Sequence, residues 1–135
     1  MSANPPFALE RATPDDAPEI VALEYKCFED EAIRQIFMGC KSEADLPKLV
    51  ARQQKEMQED PFDIWIKVTD RKTGKLAAAS NWKVFPGSHP PGSGEQPVEW
   101  MEEEEHKQAK HIMDRWNQVR EACMPGPFLR ALSGV

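Results

Sequence analysis

The sequence predicts a single domain of mixed α/β composition, in the α+β class, with helices packed on a mainly antiparallel sheet. Its 135 residues suit one domain of ordinary size. Hydrophobic residues make up 40% and charged residues 30%, which is enough apolar material for one core. Segments that alternate apolar and polar side chains occur beside segments with apolar side chains at helical spacing, so strands and helices share the chain.

The first two elements are a strand and a capped helix. Residues 7–12 alternate partially and predict a short strand. Thr13, Pro14 and Asp16 follow with the chemistry of a helix start: a hydroxyl at the N-cap, proline at the first helical position and an acid in the capping-box position. Apolar side chains at helical spacing then extend this helix as far as Phe28.

Two more helical segments precede the next strand. Residues 31–38 form a short segment that we expect to end at Gly39, because glycine is the usual residue after a helix C-terminus. Ser42 and Asp45, in capping-box spacing, begin a longer amphipathic helix that Pro61 closes.

A hairpin is the clearest strand signal in the chain. Residues 63–69 alternate apolar and polar side chains, and residues 75–84 follow after a turn at 70–74 in which Gly74 can adopt a positive φ. The two strands are predicted to pair antiparallel, although the alanines of the second strand are better helix formers than strand formers.

The last part of the chain predicts a loop, a helix and a strand. Residues 85–97 are rich in proline and glycine and form a loop. Residues 100–123 form a helix, and residues 128–135 begin an apolar strand. The expected buried seam of that helix is Ala109, Ile112, Trp116, Val119 and Cys123. The predicted order of elements is β-α-α-β-β-α-β.

Charge and composition exclude several classes of function. Seventeen basic against 23 acidic residues give a net charge of −6, which disfavours nucleic acid and anionic membrane surfaces as partners. The sequence has no apolar run of membrane-spanning length, and residues 1–6 have no secretory signal features, so we expect a cytoplasmic, intracellular location. Three widely spaced cysteines predict free, mostly buried thiols.

Metal and hydrolase chemistry are both disfavoured. The acidic run 102–105 is followed by His106 and His111, but five residues on a helix separate side chains by about 140°, which is too far for one metal ion. We therefore expect a solvated helix face and no metal. His89 could act as a base, but the chain has no G-x-S-x-G motif to expose a serine nucleophile.

Four tryptophans, Trp65, Trp82, Trp100 and Trp116, lie on the hairpin and on or near the last helix. We expect them to fill the core and seal the helix against the sheet rather than stack on a ligand. Asn81, beside Trp82, is the polar residue at a mid-strand position that could line a cleft.

This element order, together with residues 7–19 (FALERATPDDAPE), resembles the N-terminal half of the GNAT superfamily of N-acetyltransferases. The resemblance is strongest to the GNAT-like proteins of filamentous fungi. It implies a transferase that uses acetyl-CoA as cosubstrate and moves its acetyl group to an amine, on a small molecule or a peptide, by direct attack on the thioester.

The resemblance also implies site residues. The first helices and the hairpin of GNAT enzymes wall the acceptor site, which places Phe28, Phe37, Asn81 and Trp82 in contact with substrate. Gly134 and Val135 would begin the backbone that faces the acetyl group. No catalytic residue is assigned by the resemblance.

The sequence departs from the family at the cofactor site. It has no R/Q-x-x-G-x-G/A segment to hold the pyrophosphate, and its only tyrosine is Tyr25 in the first helix. Residues 1–135 are therefore expected to be the N-terminal part of such a domain, inactive as given. The alternative is a non-catalytic interaction module that binds a protein, or a second copy as a homodimer, through an exposed strand edge.

Overall fold

The computed structural model of the protein describes residues 4–87, 96–123 and 128–134. Its elements in chain order are β1 (Phe7–Arg11), α1 (Ala17–Cys27), α2 (Glu31–Ile33), α3 (Leu46–Glu59), β2 (Asp63–Asp70), β3 (Leu76–Phe85), α4 (Glu103–Cys123) and β4 (Phe128–Gly134). The predicted α+β class is confirmed. The short α2 gives three helical segments between β1 and β2.

The strands form one antiparallel sheet in the order β1-β2-β3-β4. Trp65 of β2 lies opposite Asn81 of β3, so these two residues share one face of the sheet. A bulge interrupts the pairing of β3 with β4: Asn81 pairs with Ser133 and Trp82 with Ala131, which leaves Leu132 as an extra residue. A bulge of this kind takes backbone groups out of the ladder.

The predicted capped start of the first helix is confirmed. Thr13 is the N-cap of a 3₁₀ turn, Pro14–Asp16, that runs directly into α1. The Thr13 backbone N–H donates to the Asp16 carboxylate at 2.8 Å. Asp16 also accepts from the Lys67 ammonium of β2 at 2.8 Å, which ties the helix start to the sheet. These lysine and N–H contacts outweigh burial and lower the pKa of Asp16.

The second segment continues from α2 as a π-helical turn, Arg34–Met38, and ends at Gly39 as predicted, with φ at 66°. Arg34 fastens it to α1, since its guanidinium lies 4.0 Å from the centre of the Tyr25 ring and donates to the Tyr25 carbonyl at 2.6 Å. Trp100 closes over the end of the turn by donating to the Gly39 carbonyl at 2.7 Å.

The predicted Ser42 cap is present, but it begins a 3₁₀ turn, and α3 itself starts at Leu46. The Asp45 carboxylate accepts from the backbone N–H of Lys41 at 2.9 Å, and the backbone N–H of Ser42 also contacts this carboxylate. Ser42 caps a 3₁₀ turn, Glu43–Asp45, by accepting from the Ala44 N–H at 3.3 Å. The 3₁₀ turn runs directly into α3, as short 3₁₀ turns often do at helix N-termini.

The core lies between the sheet and the two helices α1 and α3. It is built from Ala12, Ile20, Trp65 and Ala79, with Met57 and Leu76 packed against it. The other face of the sheet carries half-buried apolar side chains, and at its β1 edge Leu9 is 73% exposed.

The buried side of α4 shares only Ala109 with the predicted seam. Ala109, Met113 and Arg120 are buried, whereas Trp116 is 60% exposed. Ile112, Val119 and Cys123 are also exposed. The prediction was right for Ala109 and wrong for the other four residues. Neighbouring residues on a helix differ by about 100° in direction, and Met113, not Ile112, points into the protein.

The hairpin has its predicted turn, with Gly74 at φ 72°. The predicted loop 85–97 begins within β3 at Phe85 and ends at the buried Pro97, and its central part, residues 88–95, lies outside the described residues, as does Val135. Cys40 is buried, but Cys27 and Cys123 are exposed, so the prediction of mostly buried thiols was wrong. Across the described ranges, no helix combines the length and apolarity needed to cross a membrane.

Candidate functional site

A cleft of about 510 Å³ lies between the core face of the sheet and the helices, and we call it the central cleft. Asp63 and Trp65 of β2 and Asn81 and Lys83 of β3 form its floor. The remaining lining residues come mainly from α1, from α3 and from α2 with the turn that follows it, which together (residues 31–38) we call the α2 segment. They are Val21, Glu24, Phe28, Ile33, Phe37, Met38, Leu49, Arg52, Gln53, Glu56, Asp60, Gln96 and Trp116.

The walls of the central cleft are strongly aromatic. Phe28 follows the end of α1, Phe37 lies in the turn after α2, and Trp116 reaches the cleft from α4. Trp65 adds a buried ring at the floor. Aromatic faces suit the apolar body of a small ligand and also attract a cation.

The structure brings three of the four predicted acceptor residues together: Phe28, Phe37 and Asn81 all line the central cleft. Trp82 does not line it, because successive residues of a strand point to opposite faces. Its indole N–H donates to the Ser80 hydroxyl at 3.0 Å on the other face. Gly134 lies opposite Ser80 in the sheet, next to the bulge in β4.

The floor holds a polar network. The Asn81 side-chain amide donates to Asp63 Oδ1 at 2.7 Å, and the Lys83 ammonium reaches Asp60 Oδ2 at 2.6 Å and Asp63 Oδ1 at 3.2 Å. Burial disfavours the charge on Lys83, but its ion pairs with Asp60 and Asp63 are stronger and raise its pKa. Burial likewise opposes ionisation of Asp60, yet Lys83 and the Phe62 N–H lower its pKa.

Two polar atoms beside this network are buried without a hydrogen-bond partner among the described residues. They are Asp63 Oδ2 and the side-chain nitrogen of Gln53. Both side chains line the central cleft. A buried polar group without a hydrogen-bond partner costs about 1–3 kcal/mol. A bound molecule or a water that hydrogen-bonds to these two atoms would remove that cost.

Glu24 is the most unusual ionisable group of the cleft. It is half-buried on α1, and within the described part of the chain no hydrogen bond or ion pair reaches its carboxylate. Burial raises the pKa of Glu24 from 4.5 to about 7. A carboxyl of this kind changes charge near neutral pH and can both bind a cation and accept a proton.

Three of these groups, Glu24, Gln53 and Asp63, were not predicted as site residues. A signal was present in the sequence, since Glu24 and Gln53 occupy positions in the apolar stripes of α1 and α3. Asp63 lies two residues before Trp65 in β2, so both side chains point to the same face of the sheet. These three residues could have been found in the sequence as polar residues at positions where the pattern predicts buried, apolar side chains.

The charge of the central cleft favours a cation over an anion. Glu24, Glu56, Asp60 and Asp63 face two basic residues, and both of these are in ion pairs: Arg52 with Glu56 at 3.3 Å and Lys83 with Asp60. These residues fit an amine and do not fit the phosphates of acetyl-CoA. In the described residues, no group of three or more His, Cys, Asp or Glu side chains is arranged to hold a metal ion.

The fold and the cleft together define an α+β protein with an acidic, aromatic-lined cleft on one face of an antiparallel sheet. Comparison of the sequence with protein-family models and with curated proteins found no match.

Proposed function

We propose that the central cleft binds a primary amine and that the protein is the acceptor-binding part of a GNAT-type N-acetyltransferase. One observation carries the proposal: the Glu24 carboxyl, which has no partner among the described residues, faces a cleft walled by aromatic rings. An ammonium group fits this position because it supplies the missing opposite charge, while the rings bind the rest of the molecule.

Glu24 also suits the proton transfer that N-acetylation requires. A primary alkylamine is protonated at neutral pH and must lose a proton before its nitrogen can attack. With a pKa raised to about 7, the Glu24 carboxylate is a stronger base than an exposed glutamate and lies in the cleft where the ammonium would bind. In this proposal Glu24 pairs with the ammonium and then accepts its proton.

Acetyl-CoA, when bound, would supply the acetyl group as a thioester. The amine nitrogen would form the C–N bond, the C–S bond would break, and the departing CoA thiolate would take the second proton from the nitrogen. The bulge at Leu132 places backbone groups outside the ladder next to Asn81, at the edge of the cleft floor. This supports the expectation that backbone near Gly134 lies close to the reacting group. Since the cleft residues do not fit the phosphates, we assign them to the amine alone.

Calorimetric titration of the full chain with 2-phenylethylamine tests the proposal. At pH 8 we expect measurable binding, a loss of at least about tenfold in affinity in Glu24→Gln, and no change in the matched control Glu19→Gln, which alters an exposed acid of the same helix. Equal affinity of the two variants would contradict the role of Glu24. Acetylation of the bound amine on addition of acetyl-CoA would establish the transferase assignment.

A second candidate function is supported by the other face of the sheet. Ile64, Ile66 and Val68 are half-buried there, and Phe7 and Leu9 at the β1 edge are 51% and 73% exposed. An apolar strand at a sheet edge favours pairing with another strand, so a non-catalytic module would form a homodimer through β1.

Light scattering tests this candidate. A homodimer through β1 predicts twice the chain mass and a return to monomer in Leu9→Lys, because a charge on an edge strand opposes pairing. A stable monomer in the unmodified chain would rule out the homodimer.

A further inference from the structure

Gln53 and Asp63 are polar side chains whose burial the fold alone does not explain. Gln53 is 8% exposed and Asp63 is 5% exposed, and both line the central cleft. Each has a buried polar atom with no partner among the described residues, the side-chain nitrogen in Gln53 and Oδ2 in Asp63.

The Asp63 carboxylate is held in place by its other oxygen. Oδ1 accepts from Asn81 at 2.7 Å and from Lys83 at 3.2 Å. Lys83 is in turn paired with Asp60 at 2.6 Å. These contacts fix the carboxylate, so Oδ2 remains an acceptor without a donor while the network is intact.

The two unpartnered atoms together favour a ligand group that can both donate and accept a hydrogen bond. The Gln53 nitrogen can only donate, and the Asp63 carboxylate oxygen can only accept. A ligand carboxylate would satisfy Gln53 but be repelled by Asp63, and an ether would satisfy Gln53 alone. A hydroxyl or a primary carboxamide both accepts and donates, and so offers what each of the two atoms lacks.

We propose that the ligand of the central cleft carries, besides its amine, a neutral group that both donates and accepts hydrogen bonds, and that Gln53 and Asp63 bind this group. The inference rests on the proposed function in placing an amine in the same cleft. It names a substrate class: hydroxyl- or carboxamide-bearing amines with an apolar body.

Four probes that share the 2-phenylethylamine skeleton test the inference by titration of the full chain. Their para substituents are hydrogen, hydroxyl, methoxy and carboxamide. We expect the hydroxyl or the carboxamide compound to bind about tenfold or more tightly than the unsubstituted amine, and the methoxy compound to show no such gain. Equal affinity of all four would overturn the inference and leave the proposed amine site standing.

Gln53→Met assigns the effect to its residue. This variant keeps the length of the side chain and removes the unpartnered donor, so the preference for hydroxyl or carboxamide should disappear without a fall in the thermal midpoint of the free protein. Gln54→Met is the matched control, because the Gln54 side chain donates to the Pro14 carbonyl at 3.1 Å and does not line the cleft. A preference that survives in Gln53→Met would overturn the assignment.

An amine-free pair separates this inference from the proposed function. If no amine binds, the proposed amine site fails, and ligand-observed NMR with 4-ethylphenol and 4-ethylanisole then tests the donor–acceptor site alone. Stronger binding of 4-ethylphenol, lost in Gln53→Met, supports the inference. Equal binding of the two, or binding of neither, overturns it.

Discussion

Glu24 couples the stability of the protein to pH. Its pKa is about 7 in the folded protein against 4.5 for an ordinary glutamate, so the folded state holds a proton that the unfolded state has released between these values. The free energy of unfolding therefore falls as pH rises from about 4.5 to about 7, by up to about 3 kcal/mol.

Glu24→Gln should remove this loss, because glutamine carries no proton to release. In urea unfolding at pH 5 and pH 8, we expect the variant to gain stability over the unmodified protein at pH 8 and not at pH 5. Glu19→Gln, on the exposed side of α1, serves as the control. A variant that follows the pH dependence of the unmodified protein would show that Glu24 is solvated.

Lys83 holds the floor of the cleft together. Its ammonium pairs with both Asp60 and Asp63, and Asp63 is the more deeply buried of the two. We expect Lys83→Met to lower the free energy of unfolding by about 3 kcal/mol, since it leaves a buried carboxylate unpaired. The exposed Lys72→Met should change it by less than about 0.5 kcal/mol. Similar losses in both variants, measured by urea unfolding, would contradict this role.

At the scale of elements, Gly39 ends the turn after α2 and packs against Val98, in the segment that precedes α4. Its φ of 66° is left-handed, and a side chain there would overlap Val98. Gly39→Ala should therefore lower the free energy of unfolding by about 3 kcal/mol, from backbone strain and overpacking together. Gly74, with φ 72° and open space around it, is the matched control and should lose only about 1 kcal/mol. Equal losses would show that Val98 moves aside freely.

The sequence predicts an element well where local chemistry determines it, and less well where packing against other elements determines it. The capped start of α1, the hairpin and the glycine end of the α2 segment depend on local chemistry, and the structure confirms all three. The face of α4 depends on what the helix packs against. Met113 and Ile112 are both apolar residues of that helix, and Met113 is the buried one. The helix packs near the turn after α2, which no local signal in the sequence indicates.

At the scale of the whole molecule, the cleft combines residues that are distant in sequence. Phe28, Phe37 and Asn81 were predicted from the resemblance and meet at one cleft. Glu24 and Gln53 lie among them because the stripes of α1 and α3 face the same part of the sheet. Sequence reasoning could mark these two as misplaced polar residues, but only the fold shows that they face a common space.

The pH dependence of amine binding tests the central claim most directly. A primary alkylamine stays protonated from pH 6 to pH 8, so over this range the titration of Glu24, with its pKa of about 7, governs the pairing. Calorimetric titration with 2-phenylethylamine should give an affinity about tenfold higher at pH 8 than at pH 6, because the ionised fraction of Glu24 rises by about that factor. An affinity that is unchanged or lower at pH 8 would contradict an amine site at Glu24.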